Sequence, residues 1–199
     1  MKLCFSPTSP YVRKVMACAI TREIDARIER VTTNANASPP EFVAINPLSK
    51  VPALVTDDGV ALFDSPVICE YLDSIGEALP MFPDRGAARW RALKFQAMGD
   101  GILDASVPRR GEMTKPQDEG RAAWIARQKA AVDRTLGALE ADPPHRHIDI
   151  GSITVACALG YLDFRFAAQP WRAGRPQLAA WYEAFAQNPG IALTAPQDG

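Results

Sequence analysis

Apolar and polar positions divide the chain into two parts of different character. In the first 75 residues, short β-prone runs alternate with helical patterns. Four strands are predicted, at residues 2–5, 26–31, 52–56 and 60–63. Three helices are predicted between or after them, at residues 10–20, 39–45 and 65–75. The order is therefore βαβαββα, which indicates an α/β domain.

The remainder of the chain has a helical period. Helices are predicted at residues 87–105, 118–140, 152–167 and 176–187. The third of them is apolar nearly all round, which is typical of a helix buried at the centre of a domain. Prolines and glycines interrupt the pattern over residues 76–86, as in a linker. We expect an α/β domain over residues 1–78, a linker over 79–86 and an all-helical domain over 87–199.

Composition narrows the classes of function. The formal net charge is −1, with 22 basic and 23 acidic side chains, so a nucleic-acid partner is not expected. No apolar run approaches the ~20 residues that span a bilayer, and no secretory signal is visible. The four cysteines form no CxxC pair, and His145 and His147 have no third ligand nearby, so no metal site is expected. These features favour a cytoplasmic protein without a membrane partner.

Ser9 precedes Pro10 at the predicted start of the first helix. A helix N-terminus exposes N–H groups and the positive end of the helix dipole, which favours an anion. A hydroxyl there can donate a hydrogen bond to a thiolate. Lowering the pKa of a thiol by about two units needs about 2.7 kcal/mol, which a charge-assisted bond and the dipole can supply. A serine here is also an ordinary N-cap, and both interpretations stay open.

Two further segments could bind a peptide-like ligand. Val51-Pro52 enters a strand, and a cis peptide there would turn the backbone of Val51 out of the strand pairing, although a trans proline is commoner. Asp64-Ser65 precedes a helix, with Ser65 as its expected N-cap. The helix start could hold a ligand carboxylate while Asp64 holds a ligand ammonium.

Together, three segments resemble the cytosolic glutathione S-transferase family in order and spacing. They are SPYVR from Ser9, NPLSKVPAL from Asn46 and FDSPVI from Phe63. The run from Asp149 to Ser152 is similar to the capping box of the same family, with its two residue types exchanged. The resemblance covers nearly the whole chain. It implies a thioredoxin-like N-terminal domain, an all-α C-terminal domain and a serine-type, bacterial-like member.

The resemblance also implies roles for individual residues. Ser9 would be catalytic and would stabilise the glutathione thiolate, and Val51 would precede a cis-proline and bind the cysteinyl part of glutathione. Asp64 and Ser65 would hold the γ-glutamyl group, and Lys50 would lie near the glycine carboxylate. Glutathione would be a co-substrate, with no tightly bound cofactor, and a small electrophile would be the second substrate. The family further implies a homodimer.

Two residues are candidates for the acceptor pocket. Tyr11 is the second residue after Ser9 and should lie near the cleft. Arg109 either faces the site or forms, with Arg110, an exposed charge pair. Ser6 and Thr8 lie beside Ser9 and remain alternatives for the catalytic hydroxyl.

Three functions are compatible with these residues. The leading one is conjugation of glutathione to small electrophiles, as in detoxification. A second is glutathione-dependent reduction or peroxide removal at the same site, and a third is a non-catalytic binding or assembly module, because a fold does not fix a function. An intact Ser9 and Asp64-Ser65 pair favours the enzyme over the module.

Overall fold

The computed structural model describes residues 1–196 and divides them into two compact units. One unit comprises Met1–Pro83 together with the segment that begins at Asn188, and the other comprises Asp84–Gln187. In the described residues, no helix is both long and apolar enough to cross a membrane.

The first unit contains a four-stranded mixed sheet. Its strands are β1 (Lys2–Phe5), β2 (Glu29–Thr32), β3 (Ala53–Val55) and β4 (Ala61–Leu62). Their order in the sheet is β2-β1-β3-β4, with β1 parallel to β2 and antiparallel to β3, and with β3 antiparallel to β4. The turn between β3 and β4 includes Gly59, whose φ of 86° suits glycine.

Helices account for most of the remaining structure. Those of the described residues are α1 (Pro10–Thr21), α2 (Pro40–Ile45), α3 (Ser65–Ile75), α4 (Gly86–Met113), α5 (Glu119–Ala141), α6 (Ile150–Arg165), α7 (Pro176–Phe185) and α8 (Pro189–Ala192). The predicted order βαβαββα, followed by a helical domain, is confirmed.

Two predicted elements differ in bounds from the observed ones by several residues, and one observed helix has no predicted counterpart. The second strand begins at Glu29 rather than residue 26, because Asp25–Arg27 forms a 3₁₀ turn. Helix α4 continues beyond residue 105 to Met113; Arg109 is still buried there, and Pro108 lies on the exposed side. Helix α8 was not predicted, since four residues are too few to show a helical period.

The segment after Asn188 packs on α1, which differs from the expected helical domain over residues 87–199. A Cβ on Gly190 would lie 2.6 Å from the carbonyl oxygen of Ala17, so the glycine permits a close approach of the two backbones. The guanidinium of buried Arg13 donates to the carbonyl of Ile191 at 3.1 Å. These contacts place the segment with the first unit.

A buried carboxylate, Asp73, organises the end of the first unit. Arg22 Nε lies 3.1 Å from Asp73 Oδ1, and the side chains of both residues are almost fully buried. The same guanidinium donates to the carbonyls of Asp73 and Gly76. The backbone N–H groups of Met81 and Phe82 donate to the Asp73 carboxylate at 2.8 and 3.1 Å. Asp73 therefore joins α1, α3 and the chain segment that follows α3.

The helical unit is built around α6, whose first thirteen residues are all buried. Asp149 and Ser152 form the expected capping box, in which the Ser152 N–H donates to Asp149 Oδ1 at 2.7 Å and the Asp149 N–H donates to Ser152 Oγ at 2.9 Å. A Cβ on Gly151 would lie 2.7 Å from the Cβ of Phe95, so glycine allows α6 to pack closely on α4. The prediction of a central buried helix is confirmed.

Candidate functional site

The three segments expected to bind a ligand meet at one end of the sheet. The antiparallel pairing of β1 with β3 ends at Cys4, opposite Ala53, and β4 is in turn antiparallel to β3. The chain therefore leaves β1 toward Ser9, enters β3 from Pro52 and leaves β4 toward Asp64 at the same end. The topology brings together residues that lie far apart in the sequence.

Ser9 is the N-cap of α1, with Pro10 as the first helical residue, as predicted. Its backbone is extended, with φ −79° and ψ 121°, and its Oγ accepts a hydrogen bond from the Val12 N–H at 3.3 Å. That bond uses a lone pair of the hydroxyl and leaves its proton able to donate. The N-cap role and a role in stabilising an anion are therefore compatible in one serine. Ser6 and Thr8 lie in the turn before the helix, and neither caps it.

The Val51-Pro52 peptide bond is cis, which confirms the expectation drawn from the family resemblance. The pairing of β1 with β3 begins at Ala53, so Val51 lies outside it. Lys50, the residue before this pair, is exposed. The backbone of Val51 therefore takes part in neither pairing of β3.

The side chain of Asn46 fixes the loop that leads to the cis Val51-Pro52 bond, a role that the sequence analysis did not predict. It is buried, its Nδ2 donates to the carbonyl of Lys50 at 2.7 Å, and its Oδ1 accepts from the Leu48 N–H at 3.0 Å. The Asn46-Pro47 pair could have indicated this, because asparagine side chains often bond to the backbone two residues later.

Asp64, and not Ser65, is the N-cap of α3. The expectation for Ser65 is wrong because the helical hydrogen bonds begin one residue earlier, with the Ile68 N–H donating to the Asp64 carbonyl. Ser65 is the first helical residue and is buried, whereas the Asp64 carboxylate is exposed and accepts no bond from the first turn. The first turn of α3 thus has no side-chain cap. The Phe63-Asp64 peptide bond is cis.

A small apolar cluster packs against residues of two of these segments. Val51 and Phe63 pack against the buried side chains of Cys4, Phe42 and Ala53. Burial raises the pKa of the Cys4 thiol, and a hydrogen bond with Thr33 opposes part of that change. Cys4 therefore stays protonated near neutral pH and belongs to the support of the site. The other three cysteines are also buried.

The two candidates for the acceptor pocket lie in different units. Tyr11 is half-buried in the first turn of α1. Arg109 is on α4 of the helical unit, and the idea that it forms an exposed charge pair with Arg110 is wrong, because Arg109 is only 3% exposed. Its Nη2 donates to Gln169 Oε1 at 2.6 Å. Phe166 and Gln169, which cover it, follow about 60 residues later, so burial has no local sequence signal.

Among residues 1–196, no group of three or more His, Cys, Asp or Glu side chains is arranged to hold a metal ion. The rings of His145 and His147 stack with their centroids 5.0 Å apart, and His147 Nε2 lies 3.3 Å from Asp149 Oδ2. Both histidines lie in the loop that leads to Asp149, the N-cap of α6.

Two family models match the sequence. The one described as glutathione S-transferase, N-terminal domain, matches residues 8–75, and the one described as glutathione S-transferase, C-terminal domain, matches residues 122–184. The chain belongs to the glutathione S-transferase family. The family resemblance expected from the three motifs is thereby confirmed.

Several glutathione S-transferase relatives are similar over nearly their whole length. An uncharacterized GST-like protein of Escherichia coli K12, YibF, is 34% identical over 206 residues, which cover 98% of each chain. A family member from Pseudomonas fluorescens Pf-5, crystallised with bound glutathione, is 40% identical, with a TM-score of 0.91 over 99% of each chain. A second structure from that organism, with bound S-(propanoic acid)-glutathione, is 40% identical, with a TM-score of 0.86 over 100% of each chain.

Proposed function

We propose that this glutathione S-transferase binds reduced glutathione at the end of the sheet where Ser9, Val51 and Asp64 lie, and conjugates its thiol to small electrophiles. The observation that carries the proposal is the hydroxyl of Ser9, which caps α1 through a lone pair and keeps its proton for a thiolate. The two structures of the relative from Pseudomonas fluorescens Pf-5, one with glutathione and one with its S-propanoic acid derivative, support the same ligand.

The chemistry needs an ionised thiol. The glutathione thiol gives its proton to solvent, and the Ser9 O–H donates to the resulting thiolate at the positive end of the α1 dipole. The thiolate sulfur then forms a bond to the electrophilic carbon. The displaced electron pair leaves with a leaving group or, in an addition, takes a proton from water.

The charged groups of the tripeptide and its cysteinyl backbone each have a proposed partner. The uncapped first turn of α3 suits the γ-glutamyl carboxylate, and the exposed Asp64 carboxylate suits the adjacent ammonium. The backbone of Val51 pairs with the cysteinyl backbone, and Lys50 lies near the glycine carboxylate. This ligand is abundant and reduced in the cytoplasm, where we place the protein.

Glutathione binding is tested by removing Asp64. Calorimetry with reduced glutathione should give a measurable heat for the wild type, and Asp64→Ala should weaken binding about two- to fivefold, because an exposed ion pair is partly screened. Glu77→Ala, which removes an exposed carboxylate beyond the other end of α3, is the matched control and should bind as the wild type does. Absence of binding at millimolar glutathione would refute the proposed function.

We also propose that the protein is a homodimer. Closed two-fold dimers are the commonest soluble oligomers, and the first unit exposes Leu48, Val60 and Val67, which are 60%, 50% and 45% accessible. Light scattering at micromolar concentration should give twice the 21.6 kDa mass of the chain. A single species of monomer mass would contradict the dimer.

A further inference from the structure

Two serines with a left-handed backbone lie side by side close to the proposed glutathione site. Ser38 has φ 44° and ψ 53°, and Ser49 has φ 49°. This region is uncommon for residues that carry a side chain, and serine is not among the types that favour it. Such conformations persist where the surrounding contacts hold them, and they cluster at sites that bind ligands. The two serines are therefore strained positions whose contacts decide their conformation.

The serine hydroxyl groups supply those contacts. Ser49 Oγ lies 2.8 Å from Ser38 Oγ and 2.9 Å from the carbonyl oxygen of Ala35, and Ser38 Oγ lies 3.4 Å from the same carbonyl oxygen. A hydroxyl has one proton, so one serine donates to the carbonyl and the other donates to the first serine. Ala35 packs against the same apolar cluster as Val51. Ser49 is therefore connected, through Ala35, to the packing beneath Val51.

The turn at Ser49 fixes the backbone of Lys50. The Ser49 N–H donates to the carbonyl of Asn46 at 2.9 Å, and the Lys50 carbonyl accepts from Asn46 Nδ2 at 2.7 Å. The backbone of Lys50 is thus held by the left-handed residue before it and by a buried asparagine. Its side chain is exposed. These contacts determine the point from which the ammonium group extends.

We propose that Ser49, with Ser38, is a positioning residue that directs the Lys50 ammonium to the glycine carboxylate of glutathione. The co-substrates favoured by the site are then thiol tripeptides that end in a free carboxylate. The inference rests on the proposed function, because Lys50 acts on the ligand proposed there. A backbone fixed before binding lowers the cost of ordering the lysine. Ser49 acts through Lys50 and touches neither the ligand nor the reacting atoms.

The affinities of two peptides test the assignment. Calorimetry compares glutathione with its C-terminal glycinamide, which has the same length and lacks the charge. The wild type should bind glutathione about two- to fivefold more tightly, the range for an exposed ion pair. Lys50→Met should make the two Kd values equal, and Ser49→Ala should lose most of the preference although it keeps the lysine. Ser74→Ala, at an exposed position of α3, should leave the preference intact.

Salt dependence separates positioning from a general effect on the fold. The wild-type preference for the free carboxylate should grow at low ionic strength, because less salt screens the ion pair. The ratio of the two Kd values in Ser49→Ala should stay close to one at both salt concentrations. A variant that binds both peptides more weakly with an unchanged ratio would have only a structural defect, and that result would overturn the assignment.

Two further substitutions separate the backbone conformation from the hydroxyl. Ser49→Gly removes the hydroxyl and allows the left-handed conformation without strain, whereas Ser49→Val makes that conformation strongly unfavourable. The preference should survive in part in Ser49→Gly and be absent in Ser49→Val. Ser38→Ala, at an exposed position, removes one hydroxyl of the pair and should also lower the preference. A wild-type ratio in Ser49→Val would contradict the assignment.

A measurement without ligand completes the test. The N–H groups of Leu48 and of residue 49, which both bond to Asn46, should exchange with solvent faster in Ser49→Ala than in the wild type. Unchanged exchange would show that the hydroxyl does not hold the turn. If the wild type binds both peptides equally, the positioning of Lys50 is wrong and the proposed function stands. If it binds neither at millimolar concentration, the proposed function is wrong and this inference falls with it.

Discussion

Ser9→Ala should slow glutathione conjugation about 10- to 100-fold near neutral pH, because a hydrogen bond to a charged group contributes about 1.5–3 kcal/mol. The affinity for glutathione should change little, since the γ-glutamyl and cysteinyl contacts lie at Asp64 and Val51. The measurement is kcat and kcat/KM with a chromogenic electrophile, together with calorimetry. A lower kcat with an unchanged Kd would show that the hydroxyl acts on the ionised thiol.

The loss of activity in Ser9→Ala should depend on pH. Without the Ser9 hydroxyl, the thiolate loses stabilisation and the pKa of the bound thiol rises toward that of a free thiol, about 8.5. The variant should therefore lose most activity below that pKa and approach the wild-type rate above it, where the thiol ionises unaided. Ser6→Ala and Thr8→Ala are the controls. If one of them abolishes activity while Ser9→Ala keeps the wild-type pH profile, the hydroxyl has been assigned to the wrong residue.

Asp73→Ala should lower the free energy of unfolding by about 3–5 kcal/mol, the cost of removing one partner of a buried ion pair. Arg22 would then be a buried cation with only carbonyl partners, and the N–H groups of Met81 and Phe82 would lose their acceptor. Urea unfolding at constant pH measures the change. Ser74→Ala, at the next and exposed position of α3, should cost less than about 0.5 kcal/mol. Equal stability of the two variants would contradict the role of Asp73.

Features set by neighbouring residues could be predicted from the sequence. Ser9-Pro10 marks the start of α1, and the exchanged pair Asp149 and Ser152 forms a capping box, because both depend on bonds within one helical turn. The Asp-Gly turn between β3 and β4 was predictable for the same reason. These local signals were sufficient to give the element order and the end of the sheet at which the proposed site lies.

Features that depend on distant contacts could not be predicted. Asp64 and Ser65 are both good N-caps, and only the three-dimensional position of the α3 start decides between them. Residue type made exposure the natural expectation for Arg109, and Gln169, 60 residues away, takes part in covering it. The packing of Gly190 on α1 depends on a close approach of two backbones. The hydrophobic periodicity of the sequence carries no information about such an approach.

That attachment has a consequence for synthesis of the chain. The buried guanidinium of Arg13 can donate its hydrogen bond to the Ile191 carbonyl only after the whole helical unit has been translated. At about 5–20 residues per second, the roughly 100 intervening residues take about 5–20 s to translate. During that time the segment that begins at Asn188 is not yet available to pack on α1. The first unit therefore stays incomplete while the helical unit is translated. The glutathione S-transferase domain that is translated first is thus completed last.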